Sequence, residues 1–368
     1  MSKPLRTIVV GLDHYHVTGW VETLGLFPGQ IDVVARYDPN PERVALDQPA
    51  FVDPHLPQSF PDWFQQIPFS ADLETLSHEQ RPDLALVTLP NQFAPDAVVE
   101  LAKAGCHVII DKPGALDSAG AHRAALAART HGVKLAVALT RRYGRAWQSV
   151  ASEIERGRLG RLLSAEAIFV TSSAPVRGPN NPIFDRGLMG GGILHWLGIH
   201  DIDLIQWLAG EPIDQVQAMT ATTSSQAIDV EDTISIQFRL ANGAIGTMHF
   251  AYALPRSGGT GYMALRGSDA SVTIDATGIT EWIGAGSVDD PLRVETITSD
   301  IDRLPGYGSA GALIVADMIA AIENDRDPLA TGEDARNAMR VVDAAYQSAN
   351  TGRPVLIEPS NPIVWRAA

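Results

Sequence analysis

The sequence predicts an α/β fold: a doubly wound parallel sheet, followed by an α+β domain with an open, mainly antiparallel sheet. Three observations predict it. Up to about residue 140, short β-branched runs alternate with helix-period segments, the pattern of a parallel sheet covered by helices. From about residue 160 the period changes to strict apolar alternation, the mark of half-buried antiparallel strands. A chain of 368 residues also exceeds what one hydrophobic core ordinarily serves. The expected domains are 1–140 and 141–368.

Thr7 to Val10 is the first expected strand, and after a polar turn Val17, Trp20, Val21 and Leu24 recur at helical spacing. Ile31 to Arg36, Asp83 to Thr88, Cys106 to Ile110 and Lys134 to Leu139 continue the sheet. Asp96 opens a helix that Gly105 stops; Asp117 and Ser118 open an alanine-rich one that Gly132 stops. Gln48 to Pro68 carries five prolines among Phe51, Phe60, Trp63 and Phe64, and reads as an ordered excursion from the first domain. In the second half, Ile234, Ile236, Phe238 and Leu240, then Asn242-Gly243, then Ile245 to Tyr252 spell a hairpin. Further short strands are expected to about residue 297, then helices over 309–323 and 334–349.

The charge balance, 28 basic against 43 acidic residues, gives −15, which argues against nucleic acid or an anionic membrane as partner. Cys106 is alone, so neither an intrachain disulfide nor a multi-cysteine metal site is expected, and the reducing cytoplasm fits. No apolar run is long enough for a membrane span, and the opening MSKPLRTIVV has no signal-peptide pattern.

Chemistry gathers at expected strand ends. Gly11-Leu12-Asp13-His14-Tyr15-His16, between a strand and a helix, lies where a Rossmann-type sheet seats a dinucleotide pyrophosphate, over backbone N–H groups. Only the first of the three usual glycines is present; Asp13 and His16 take the other two places, so a plain tight turn is the competing reading. Asp38, ending the second strand, suits both ribose hydroxyls of NAD and repels a 2′-phosphate; alternatively it starts the turn Asp38-Pro39-Asn40-Pro41, and Arg36 stands near enough to soften the repulsion. Thr88-Leu89-Pro90-Asn91 and Asp111-Lys112-Pro113 follow later strands, at the edge where open α/β sheets bind ligands. The triple glycine Gly190–Gly192 precedes a helix expected to carry Trp196, His200, Asp203 and Trp207 along one side. His200 is there either a general base or a buried histidine satisfied by Asp203. His195 and His200, five apart, share a helix face poorly, so no metal is expected.

In order and spacing, the Gly11 turn, Asp38, Thr88 to Asn91, Gly105 with His107-Val108 before Asp111-Lys112-Pro113, the triple glycine with Gly198-Ile199-His200, and Ala344-Ala345-Tyr346 through Thr351-Gly352-Arg353 resemble one family. It is the glucose–fructose oxidoreductase, inositol dehydrogenase and rhizopine catabolism family, Gfo/Idh/MocA, and the resemblance covers nearly the whole chain. It implies an NAD-dependent oxidoreductase acting on a secondary alcohol or ketone of a sugar, polyol or related small molecule, and the Asp38 carboxylate favours NAD over NADP. It also implies that Lys112 lies beside the nicotinamide and the substrate hydroxyl, and that His200 takes the hydroxyl proton. On this reading Gly11, Leu12, Asp13, His14 and His16 hold the pyrophosphate, Asp38 the ribose, and Thr88, Pro90, Asn91, Asp111 and Lys112 the nicotinamide side. His195, Trp196, Arg141, Arg142 and Asp203 are candidates for substrate contact.

Departures from the pattern carry their own expectations. Asp111 replaces the family's glutamate and should still hold the lysine; Ala94 replaces a frequent histidine; Trp196 replaces a frequent substrate-binding aspartate and offers a stacking face. Simple polyols should then be poor substrates. The rivals are a dinucleotide-binding sensor of the same fold, which needs no proton relay, and a lyase or glycosidase with tightly held NAD. A homodimer or homotetramer is expected through the open sheet.

Overall fold

The computed structural model describes residues 3–45, 48–49, 52–53, 55–223, 227–254, 258–275, 277–284, 293–296 and 304–358. The chain divides into two compact units: residues 1–140 with 187–190 and 300–336, and residues 141–186, 191–299 and 337–368.

In the first unit, β1 (Leu5–Val10), β2 (Ile31–Tyr37), β3 (Phe69–Ser70), β4 (Leu84–Val87), β5 (His107–Ile110) and β6 (Leu135–Val137) form a parallel sheet of order β3-β2-β1-β4-β5-β6. The central strands are continuous buried runs, Ile8 to Val10, Leu84 to Val87 and Val108 to Ile110, because a parallel sheet is covered on both faces. The helices are α1 (Val17–Gly25), α2 (Asp62–Gln65), α3 (Leu73–Gln80), α4 (Ala94–Lys103) and α5 (Ser118–His131). α5 shows its sequence signals in full: the Asp117 side chain accepts from Gly120 N, and Gly132 ends the helix in the left-handed region. α4 begins at Ala94, two residues before Asp96, because Pro95 is tolerated in a first turn.

In the proline-rich excursion, Phe60 and Phe64 are buried and Trp63 is partly exposed; Ala50, Phe51 and Pro54 lie outside the described residues. Arg36 anchors this segment. Its Nε donates to the Ile67 carbonyl and Nη2 to that of Gln65, both at 3.1 Å, and its guanidinium lies 5.7 Å from the Phe64 ring centre. The charges that act on the Asp38 carboxyl are those of Asp13 and Arg43, so the expectation that Arg36 softens the field there is corrected.

The second unit contains α6 (Arg145–Glu155), β7 (Leu162–Thr171), α7 (Ser173–Arg177), α9 (Ile199–Ala209), β8 (Ile213–Ala221), β9 (Thr233–Leu240), β10 (Ile245–Ala251), β11 (Gly259–Gly267), β12 (Ala270–Asp275), β13 (Ile279–Gly284), β14 (Arg293–Thr296) and β15 (Val355–Leu356). Between α7 and α9, the short α8 (Arg186–Met189) leads back to the first unit. The sheet order is β14-β13-β12-β11-β7-β10-β9-β8-β15, antiparallel apart from the β7–β10 pair. Alternation places Ile234, Ile236, Phe238 and Leu240 of β9 inside, and the β9–β10 turn carries Gly243 at φ +88°. The expected extension to residue 297 ends outside the described residues.

The expected division at residue 140 followed by one continuous second domain is corrected for two segments. Residues 187–190 and 300–336 cluster with the first unit. There α10 (Gly308–Glu323) packs on α1 and β5, and Val137 N donates to the Ala330 carbonyl at 3.0 Å. α11 (Gly332–Thr351) then passes into the second unit. No described helix is long and apolar enough to cross a membrane.

Candidate active site

In the first unit the candidate groups meet at the carboxyl ends of β1, β2, β4 and β5. Gly11 sits at φ +98°, and a Cβ there would come within 2.6 to 2.8 Å of the Thr88 and Leu89 backbone, so only glycine allows this turn. Thr88 Oγ1 donates to the Gly11 carbonyl at 2.7 Å and ties the β4 loop to the turn. Asp38 does two things at once. Its Oδ1 accepts from Asn40 N at 2.9 Å, the turn-starting role, while Oδ2 accepts from Leu12 N at 2.8 Å and fixes the Gly11 turn against β2. Burial pushes the Asp38 carboxyl up; the two backbone N–H groups and Arg43 oppose this.

Asp111 turns toward α1. Its Oδ2 accepts from Trp20 Nε1 at 2.8 Å and lies 2.9 Å from His16 Nδ1, and Tyr307 closes the group, its hydroxyl 3.1 Å from His16 Nδ1 and its ring stacked 4.7 Å from Trp20. Besides its neighbour Lys112, whose charge acts on it, Asp111 thus serves His16 and Trp20. Burial raises the Asp111 carboxyl, but His16, His14 and Lys112 outweigh it and hold the group below the usual carboxylate range. Lys112, 3% exposed, begins a cis Lys112–Pro113 peptide. Asn91, expected on the nicotinamide side, donates through Nδ2 to the Met189 carbonyl at 2.8 Å. The Pro90 carbonyl accepts from Phe93 N and Ala94 N and starts α4. The metal-type grouping of His14, His16 and Asp111 within 4.8 Å is this same hydrogen-bonded cluster.

Burial holds the His14 imidazole down from 6.5 to about 4, with Asp111 opposing and His16 and Lys112 reinforcing. Between those values the unfolded chain binds the proton that the folded chain refuses, so stability rises with pH there and is lost on acidification. Denaturant unfolding at pH 4 should show a loss on the order of 3 kcal/mol relative to pH 7, beyond that of a His14→Gln variant. Equal acid losses in the two proteins would contradict the assignment.

In the second unit the stretch holding the candidate histidines begins as a π-helical turn, Leu194–Gly198, and continues as α9. Such single turns are frequent at functional sites, and the structure replaces the expected uninterrupted α-helix with this one. Glu231, which the sequence reading missed, anchors it. Its carboxylate accepts from Gly192 N at 2.9 Å, Leu194 N at 3.1 Å and the Tyr346 hydroxyl at 2.8 Å. A Cβ on Gly192 would come 1.8 Å from the Glu231 carbonyl and one on Gly191 2.1 Å from the Tyr346 hydroxyl, so these glycines serve internal close packing.

His195 is fully buried in the π-helical turn, and His200, 6% exposed, lies in the first turn of α9. Arg142 grips Asp203 through two bonds, Nε to Oδ2 at 2.8 Å and Nη2 to Oδ1 at 2.6 Å, and Arg141 pairs with Asp201. Neither Arg142 nor Asp203 thus presents its charge to substrate, which corrects both expectations. Trp196 is 1% exposed and donates its indole N–H to the Ile183 carbonyl at 3.1 Å. It is a packing residue here, and the expected stacking face for substrate is not on offer.

Residues 9–139 match the family described as "Oxidoreductase family, NAD-binding Rossmann fold", and residues 147–273 match the "GFO/IDH/MocA C-terminal domain". The chain belongs to the Gfo/Idh/MocA oxidoreductase family. Similar members include an uncharacterized oxidoreductase, YrbE, of Bacillus subtilis, 26% identical over 84% of this chain and 88% of that protein. Another is the inositol 2-dehydrogenase of Rhizobium meliloti, 26% identical over 75% and 81%. Among solved structures, an oxidoreductase domain protein from Kribbella flavida shares the fold with a TM-score of 0.82 at 20% identity, covering 97% of this chain and all of that one. The family matched by residues 9–139 is NAD-binding, and the first unit fits NAD. The turn opened by Gly11, an α1 N-terminus whose N-cap His16 makes no side-chain cap bond, and the Asp38 carboxylate lie together at one sheet edge.

Proposed function

We propose that this protein moves a hydride between NAD and the carbon of a secondary alcohol, or its ketone, in a sugar, polyol or related small molecule. The observation that carries the reading is the Leu12 N to Asp38 bond, which joins the pyrophosphate turn to the ribose carboxylate in one preorganised edge. Asp38 receives the adenosine ribose hydroxyls, and the Gly11 to His16 turn faces the pyrophosphate with backbone N–H groups. The Asp38 carboxylate, with the Asp13 charge beside it, would repel a 2′-phosphate, which favours NAD over NADP.

NAD, when bound, supplies the two-electron acceptor. Lys112 hydrogen-bonds the substrate hydroxyl, and His200 accepts its proton as the hydrogen on the carbon leaves with the C–H electron pair as hydride; in reduction His200 returns the proton. Arg141, whose side chain is 23% exposed, remains a candidate for substrate contact, and the fully buried His195 a weaker one. Related proteins support catalysis over sensing, since they include an inositol 2-dehydrogenase and a 1,5-anhydro-D-fructose reductase. Leu163, Met219, Ile245, Ile283 and Leu356 stand exposed on strands of the second sheet and support self-association as a dimer or tetramer. The lone buried Cys106 supports a reducing, cytoplasmic setting.

Mass spectrometry of the nucleotide released on denaturing the purified protein tests the cofactor assignment. NAD is expected; a predominance of NADP would overturn the role given to Asp38.

A further inference from the structure

Resting on the dinucleotide reading above, we propose that Asp13 sets the cofactor preference by occupying Arg43, the cation that a 2′-phosphate would need. Asp13 stands at the second place of the β1–α1 turn, where a glycine ordinarily lets the pyrophosphate approach the backbone. A carboxylate there faces an incoming dianion and is tolerable only with a counter-charge. Arg43 provides it: its guanidinium pairs with Asp13 Oδ2, with 18% of the Arg43 side chain and 31% of the Asp13 side chain exposed.

This pair flanks Asp38. Asp13 and Arg43 are the two charged side chains whose fields act on its carboxyl, in opposite directions. The other nearby cation, Arg36, is buried and held by the Gln65 and Ile67 carbonyls. Arg43 is therefore the guanidinium beside Asp38 that keeps solvent access.

A dinucleotide with free ribose hydroxyls asks nothing of Arg43. One with a 2′-phosphate must draw Arg43 from Asp13, and that leaves Asp13, Asp38, the pyrophosphate and the new phosphate sharing a single cation. The penalty falls on NADP(H) alone. Removing the Asp13 charge should lift it, because Arg43 is then released to the phosphate without exposing a carboxylate.

The test is fluorescence titration with NADH and NADPH of the wild-type chain, Asp13→Asn, Asp13→Gly and the double variant Asp13→Asn with Arg43→Ala, each checked for native circular dichroism. Asp13 has no positive φ, so both single variants suit its backbone. The wild type should prefer NADH; Asp13→Asn and Asp13→Gly should each shift the ratio of dissociation constants toward NADPH by about tenfold, a 1.4 kcal/mol change. Adding Arg43→Ala should abolish the shift. An unchanged ratio in both single variants, or a gain that survives loss of Arg43, overturns the proposal while NADH binding by the wild type leaves the cofactor assignment standing. Failure of the wild type to bind either nucleotide overturns both.

Discussion

Replacing His200 with alanine is expected to lower turnover by about 10² to 10⁴ while leaving NADH affinity and the thermal midpoint near their wild-type values, because a positioned general base is worth that factor in rate. Lys112→Met should lower turnover likewise. Lys112 and His200 are 3% and 6% exposed, so a structural role is the alternative to be separated. Steady-state rates with NADH titrations and melting curves on the same preparations separate them. A His200→Ala protein that melts well below the wild type, or turns over at the wild-type rate, would show that this histidine serves packing.

The second large effect is on stability. Arg142→Ala should destabilise the second unit by about 3 to 5 kcal/mol, the usual consequence of leaving one partner of a buried ion pair behind. Arg142 and Asp203 side chains are 2% and 3% exposed and joined by two short bonds, so the carboxylate cannot recover its hydration by turning outward. Asp203 lies three residues after His200 on α9, so the loss should also reduce turnover in the fraction that stays folded. Replacing both partners with apolar residues should restore much of the lost stability without restoring that turnover. Urea unfolding of Arg142→Ala and of an Arg142→Met, Asp203→Leu pair would measure this, and a change below about 1 kcal/mol in the single variant would contradict it.

Local signals were legible in the sequence and long-range ones were not. Asp117 and Gly132 bound α5 because a cap and a left-handed glycine act within one turn of chain. The alternating β9 and its Asn242-Gly243 turn were readable for the same reason. β3 has two residues and takes its identity from pairing with β2, and α3 has too little apolar periodicity to announce itself. The return of residues 300–336 to the first unit left no local mark, since it depends on α10 packing against α1.

At the candidate site, residue types and strand-end positions pointed to Gly11, Asp38, Lys112 and His200, but partnerships did not. Asp111 is expected beside its neighbour Lys112, but its hydrogen bonds to His16 and Trp20, far away in sequence, have no local signal. Glu231 gave no signal, being one carboxylate in an acidic chain whose partners are two backbone N–H groups and a tyrosine more than a hundred residues on. Helical spacing alone sets Trp196 on one side of its helix; the Ile183 carbonyl that takes its N–H is visible only in the folded chain.

Hydride transfer itself is tested most directly by following nicotinamide fluorescence while the wild-type protein, with NAD, is offered a panel of cyclic and open-chain sugars and polyols, and with NADH the corresponding ketones. The account predicts that at least one member of the panel changes the nicotinamide's redox state, and that His200→Ala suppresses the change. Saturable NAD binding with no net redox change on any member, in either direction, would contradict it.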